Sequence, residues 1–133
     1  MNTIQKGDLC VAMIIAAFLK KHYVVLQPVS ENSRYDLVID RGFGFERVQC
    51  KHGCLRNGTI KFRPYSSTSH HKNGQGKLQN YRGQIEWFAI YCSDTDQCYL
   101  IDVNEIGVGG GFLRVDPPKN NHQNLRMAAD YII

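Results

Sequence analysis

The chain has 133 residues, a length typical of one domain and sufficient for a real core. Hydrophobic residues make up 43% and charged residues 21%, the balance of an ordinary folded chain, which excludes a disordered or fibrous protein. The longest apolar run, Leu9 to Leu19, is shorter than the about 20 residues needed to cross a bilayer. No signal-peptide pattern precedes it, so no membrane partner is expected. Five cysteines form no dense framework and point to a reducing, cytoplasmic setting.

The net charge of +4 is modest, but it is unevenly placed. No Asp or Glu occurs from Arg47 through Ile85, and that block holds eight of the sixteen basic residues. They are Arg47, Lys51, Arg56, Lys61, Arg63, Lys72, Lys77 and Arg82, with His52, His70 and His71 among them. The remaining eight basic and twelve acidic residues leave the rest of the chain at −4. Such a block attracts a polyanion and makes its binding fall with salt.

In chain order, Gly7-Asp8 followed by the apolar run and Lys20-Lys21 predicts a helix, with Asp8 at or near its N-cap and the lysines at its C-terminal end. Tyr23 to Leu26 is a short β-prone run stopped by Pro28. Tyr35 to Asp40 and Phe45 to Lys51, joined by Arg41-Gly-Phe-Gly44, predict a β-hairpin pivoting on Gly42 or Phe43. Thr59 to Phe62 follows as a strand after Asn57-Gly58. Residues 64–84 are polar, with few apolar anchors, and are expected to form a long mobile loop with a functional role. Glu86 to Cys92 and Gln97 to Val103 make a second hairpin, Phe112 to Val115 a short strand, and the tail from Asn120 a short helix. The order indicates a single α/β domain with a mixed sheet.

On the returning strand of the first hairpin, Arg47, Gln49 and Lys51 share one face and Glu46, Val48 and Cys50 the other. The pivot places Asp36 opposite Gln49 to Lys51. One carboxylate, one amide carbonyl and one ammonium then converge. The two oxygen ligands suit Mg²⁺, with Mn²⁺ as a substitute, and the lysine suits a role beside a scissile phosphate. An ordinary amphipathic hairpin with a surface lysine explains the spacing equally well.

The sequence also resembles the PD-(D/E)XK nucleases of restriction-endonuclease-like fold. Within them it is most similar to the small branch that includes a bacterial group I intron homing endonuclease. The likeness rests on Lys6-Gly7-Asp8, on Asn32-Ser-Arg-Tyr-Asp-Leu-Val38 and on Arg47-Val-Gln-Cys-Lys51. It continues through Tyr81 to Tyr91 and Arg114 to Asn121, and so covers nearly the whole chain. The resemblance implies a mixed β-sheet flanked by helices, with a β-hairpin or loop extension that contacts DNA. It implies Asp36 as the central metal ligand, Gln49 in the (D/E) slot and Lys51 as the catalytic lysine. The residue before Asp36 is Tyr35 where the motif name has proline.

One departure has chemical weight. The branch opens its first helix with Gly-Asp-x-Gly-Glu, whereas this chain reads Gly7-Asp8-Leu9-Cys10-Val11. Val11 stands in the acidic slot, so either Asp8 joins the metal ligands, or the site has lost one, or the valine is a deliberate substitution that traps an uncleaved complex. DNA contacts are expected from Arg47, Arg56, Lys61, Arg63, Lys72, Lys77 and Arg82, with Arg and Lys reading guanine edges or anchoring phosphates. Cutting both strands of duplex DNA calls for two active sites, hence a homodimer or homotetramer. Three functions remain open: a sequence-specific homing-type endonuclease, a structure-specific nuclease of the Holliday-junction resolvase kind, and a catalytically impaired DNA-binding module. Zinc binding by Cys50, His52 and Cys54 is disfavoured because their spacing matches no standard ligand set.

Overall fold

Asn2 begins the first helix earlier than Gly7-Asp8 suggests. Its side chain accepts the Gln5 N–H at 2.9 Å while the Gln5 side chain accepts the Asn2 N–H at 2.9 Å. This reciprocal capping box opens helix α1, Thr3–Lys20, and leaves Asp8 inside it, exposed, rather than at its cap. Cys10, Ile14 and Phe18, four residues apart, are buried on one face. Ile14 and Phe18 have no exposed surface, and each contributes about 1.5–3 kcal/mol by leaving water. This computed structural model describes residues 1–68, 77–107, 110–117 and 125–133.

Among the described residues nine strands follow: β1 Val24–Leu26, β2 Leu37–Asp40, β3 Phe45–Arg56, β4 Thr59–Lys61, β5 Tyr65–Thr68, β6 Lys77–Asn80, β7 Trp87–Cys92, β8 Gln97–Asp102 and β9 Phe112–Arg114. Strand β3 organises the sheet. Its first half pairs antiparallel with β2, which pairs with β1, and its last residues pair with β4, which leads to β9. Along its other edge β7 runs parallel from Val48↔Trp87 to Gly53↔Cys92, and β8 lies antiparallel beyond it. The sheet is therefore mixed.

Central position explains the unbroken apolar run of β7, which must bury both faces. Ala89 and Tyr91 pack with Leu37, Ile39, Val48 and Cys50 against α1. Phe88, Ile90 and Cys92 pack on the opposite side with Ile60, Phe62, Tyr81, Ile85 and Leu113. Among the described residues no α-helix covers that second face. Loop side chains and two 3-10 turns, Val103–Glu105 and Ala128–Tyr131, help to cover it. The tail expected as a helix contributes the second of these turns, after a bridge from Met127 to Arg114, and Ile132 then bridges to Tyr99.

Of the expected loop over 64–84, residues 69–76 lie outside the described residues, and its flanks form strands. β5 and β6 pair antiparallel from Tyr65↔Asn80 to Thr68↔Lys77 and form a separate two-stranded ribbon. Tyr81, directly after it, is buried. Ribbon pairing satisfies the backbone, so polar side chains along it carry no information about strand formation.

Candidate active site

The first hairpin forms in the expected register. Asp40 pairs with Phe45 and Leu37 with Val48, centring the turn on Gly42 and Phe43. Gly42 and Gly44 take φ of 99° and 114°, left-handed values that glycine adopts without strain. One row beyond Leu37, the Asp36 N–H donates to the Val48 carbonyl at 2.9 Å. Its side chain turns to the same strand: Asp36 Oδ2 accepts the Cys50 N–H at 2.9 Å. The carboxylate is thereby fixed between Gln49 and Lys51.

Burial raises the Asp36 carboxyl above its ordinary range, against the Cys50 N–H and the Lys51 charge, which both lower it. Burial likewise lowers Lys51, which Asp36 opposes and Arg34 and Arg63 reinforce. The Lys51 ammonium donates to the Tyr65 carbonyl at 3.2 Å and to the Tyr81 hydroxyl at 3.4 Å. It lines a cleft with His52, Arg63, Tyr65 and Ser66. Gln49 is half-buried, and its side-chain amide has no hydrogen-bond partner among the described residues. Asp36 Oδ1 likewise has no hydrogen-bond partner among the described residues, so the neighbouring strands carry one carboxylate oxygen and one amide oxygen, hard donors of the kind a divalent cation takes. An under-compensated buried carboxylate is the environment a cation stabilises. The donor set fits a metal.

From the helix side, Cys10 is buried close enough to Asp36 and Lys51 for both charges to act on its thiol, which burial pushes up to about 11. Cys50 is driven well above its ordinary value, also by burial. These thiols stay protonated packing groups. Val11 is half-buried and packs against the α1 face of the core. No group of three or more His, Cys, Asp or Glu gathers around a common point among the described residues, and Cys54 Sγ merely approaches His52 Nδ1 at 3.8 Å.

Of the basic residues expected to meet DNA, Arg56, Lys61, Arg63 and Arg82 are exposed. Arg82 also donates to the Ile106 carbonyl at 3.3 Å. Arg47 is committed elsewhere: its guanidinium pairs with both oxygens of Glu86. Lys72 lies outside the described residues; of Lys77 the backbone in β6 is described. Two residues escaped notice as functional candidates, Arg34 and Tyr81. Arg34 lies two residues before Asp36, the spacing that returns a side chain to the same strand face, and this was the available signal.

A family model described as PD-(D/E)XK endonuclease matches residues 1–133. The chain belongs to the PD-(D/E)XK endonuclease family. Among solved structures, that of the bacterial homing endonuclease I-Ssp6803I superposes with a TM-score of 0.76 at 21% identity, covering 99% of this chain and 89% of that one. At that identity the likeness establishes the restriction-endonuclease-like fold. No curated protein matches the sequence. As a family member, the chain is a nuclease, and no helix among the described residues is long and apolar enough to cross a membrane.

Proposed function

We propose that this protein is a divalent-metal-dependent endonuclease of homing type that hydrolyses phosphodiester bonds in double-stranded DNA at a defined sequence. The observation that carries the reading is the Asp36 carboxylate held against the Cys50 N–H beside Gln49 and Lys51. Asp36 and Gln49 are the metal ligands of this reading. Mg²⁺, or Mn²⁺ in its place, would neutralise charge on the scissile phosphate and lower the pKa of a bound water.

Lys51 sits where an ammonium or a neutral amine serves the reaction. Charged, it stabilises the developing negative charge on the phosphate oxygens; neutral, it accepts a proton from the attacking water. Asp8 is the acidic residue of α1 and the candidate third ligand, while Val11 leaves the adjoining position without one. Arg56, Lys61, Arg63 and Arg82, together with Lys72 and Lys77 of the acid-free block, supply phosphate anchoring and base reading. A homodimer or homotetramer brings two sites to the two strands.

A second reading, junction resolution, shares the fold and the chemistry. Supercoiled plasmid and synthetic four-way junctions incubated with Mg²⁺ or Mn²⁺ separate the two. Discrete cuts in a long linear target support the homing reading, and preferential cutting of the junction replaces it. Binding without cleavage under either metal identifies an impaired module.

A further inference from the structure

Each nitrogen of Arg34 makes a hydrogen bond within the protein. Nε donates to the Gln84 side chain at 2.6 Å, one terminal nitrogen to the Ser66 hydroxyl at 2.6 Å, and the other to the Asn80 carbonyl at 2.9 Å. Its guanidinium carbon lies 4.0 Å from the centre of the Tyr81 ring. The Lys51 ammonium lies 5.0 Å from the same centre. Two cations therefore share one aromatic ring, and the ring is fixed from below by an edge-on contact with Phe88 at 5.6 Å. Three of the five guanidinium N–H donors of Arg34 are thus used within the protein. Its bonds tie the residue two before Asp36 to both strands of the β5–β6 ribbon.

The ribbon in turn holds the lysine. The carbonyl that Lys51 reaches belongs to Tyr65, the first residue of β5, and the hydroxyl belongs to Tyr81, next after β6. The two ends of the ribbon thus form a cradle around one ammonium. A four-carbon lysine stem loses about 2 kcal/mol of rotamer freedom when fixed, so a lysine that acts on one oxygen needs such a cradle.

We propose that Tyr81 and Arg34 are positioning residues for Lys51: the Tyr81 ring and hydroxyl aim the ammonium, and Arg34 locks that ring and the ribbon base in place. The proposal rests on the nuclease reading for its kinetic consequence, but its geometric content stands apart from it. Ribbon and catalytic lysine become one mechanical unit, so a DNA contact on the ribbon bears directly on the reacting end of Lys51.

The test compares Tyr81→Leu, Tyr81→Phe and Arg34→Met with the unaltered protein. A cation–π contact of ordinary strength, about 0.5–2 kcal/mol, corresponds to a roughly twofold to thirtyfold change. Tyr81→Leu and Arg34→Met are expected to lower kcat by that factor at saturating DNA, with the greater part of the loss in kcat rather than in Kd. Tyr81→Phe, which keeps the ring but lacks the hydroxyl, is expected to recover part of it. Independently, reductive methylation without DNA or metal should modify Lys51 faster in Tyr81→Leu and Arg34→Met, relative to the exposed Lys61. Unchanged Lys51 labelling in both variants, or a loss confined to Kd, overturns the proposal. Should Tyr81→Leu fail to fold, Arg34→Met alone decides. Faster labelling in a protein that never cleaves DNA upholds the cradle and overturns the nuclease reading instead.

Discussion

The Cys50 N–H donates to Asp36 Oδ2 at 2.9 Å, so a carboxylate on one strand is pinned by the backbone between the two candidate site residues of its neighbour. The single bond does not offset burial, and the carboxyl remains raised above its ordinary range. A raised acid favours folding in its neutral form. That contribution is fully present below the ordinary carboxylate range and disappears as pH rises through the folded-state value. Once ionised, the buried Asp36 carboxylate costs stability. Asp36→Asn should therefore abolish cleavage yet stabilise the fold by about 0.5–2 kcal/mol at pH 7, with the gain shrinking towards acid. Urea unfolding at pH 7 and in acid measures this; a variant less stable than the parent at pH 7 contradicts it.

The hairpin tip carries the opposite sign. Arg41 bonds both oxygens of Glu46 at 2.8 and 2.9 Å, and Trp87 Nε1 donates to Glu46 at 2.6 Å. The Arg41 bond, chiefly, lowers the Glu46 carboxyl. Its stabilising contribution is present above the ordinary glutamate range and is lost as pH falls through the lowered value. Trp87 is the single tryptophan of the chain, so its fluorescence should report this protonation in acid. In Glu46→Gln the acid transition should vanish from the fluorescence titration.

Gly53 is the last residue of β3 paired with β7 and directly precedes the residues paired with β4. A Cβ there would lie 2.6 Å from Ile60 Cγ2 and 2.8 Å from Ile90 Cγ2. Both isoleucines are fully buried and cannot withdraw. Gly53→Ala should destabilise the protein by about 1–3 kcal/mol, the usual range for overpacking, as read from the midpoint of denaturant unfolding.

Val11→Glu tests the empty acidic position. A carboxylate on the half-buried Val11 side of α1 should lower stability in a chelator and be compensated by metal. The thermal midpoint should then rise more with added Mg²⁺ in the variant than in the parent, and plasmid nicking should increase. An equal Mg²⁺ response in both proteins counts against a metal role for this position.

Much of the site could be read before the fold was seen because it lies on one hairpin. Turn glycines fix the pivot, a pivot fixes the register, and the register puts Asp36 beside Gln49. The start of α1 was misread because Gly7-Asp8 looks like a cap, while the reciprocal Asn2–Gln5 pair three residues apart outweighs it. The ribbon escaped because β5 and β6 pack few apolar side chains, and alternation signals a strand only where one face is buried. Arg34 and Tyr81 were hidden for a different reason. They meet across 47 positions of sequence, which local spacing does not encode. Arg47 looked like a free phosphate contact until the sheet brought Glu86 beside it.

In the proposed reaction Lys51 acts in phosphodiester hydrolysis at a metal site built on Asp36 and Gln49. Lys51→Ala measures it most directly, comparing DNA binding and Mg²⁺-dependent cleavage of supercoiled plasmid in parallel. Binding should persist while cleavage falls by at least about a hundredfold, the lower range for loss of a general acid or base. Cleavage that survives Lys51→Ala at the rate of the unaltered protein contradicts the account.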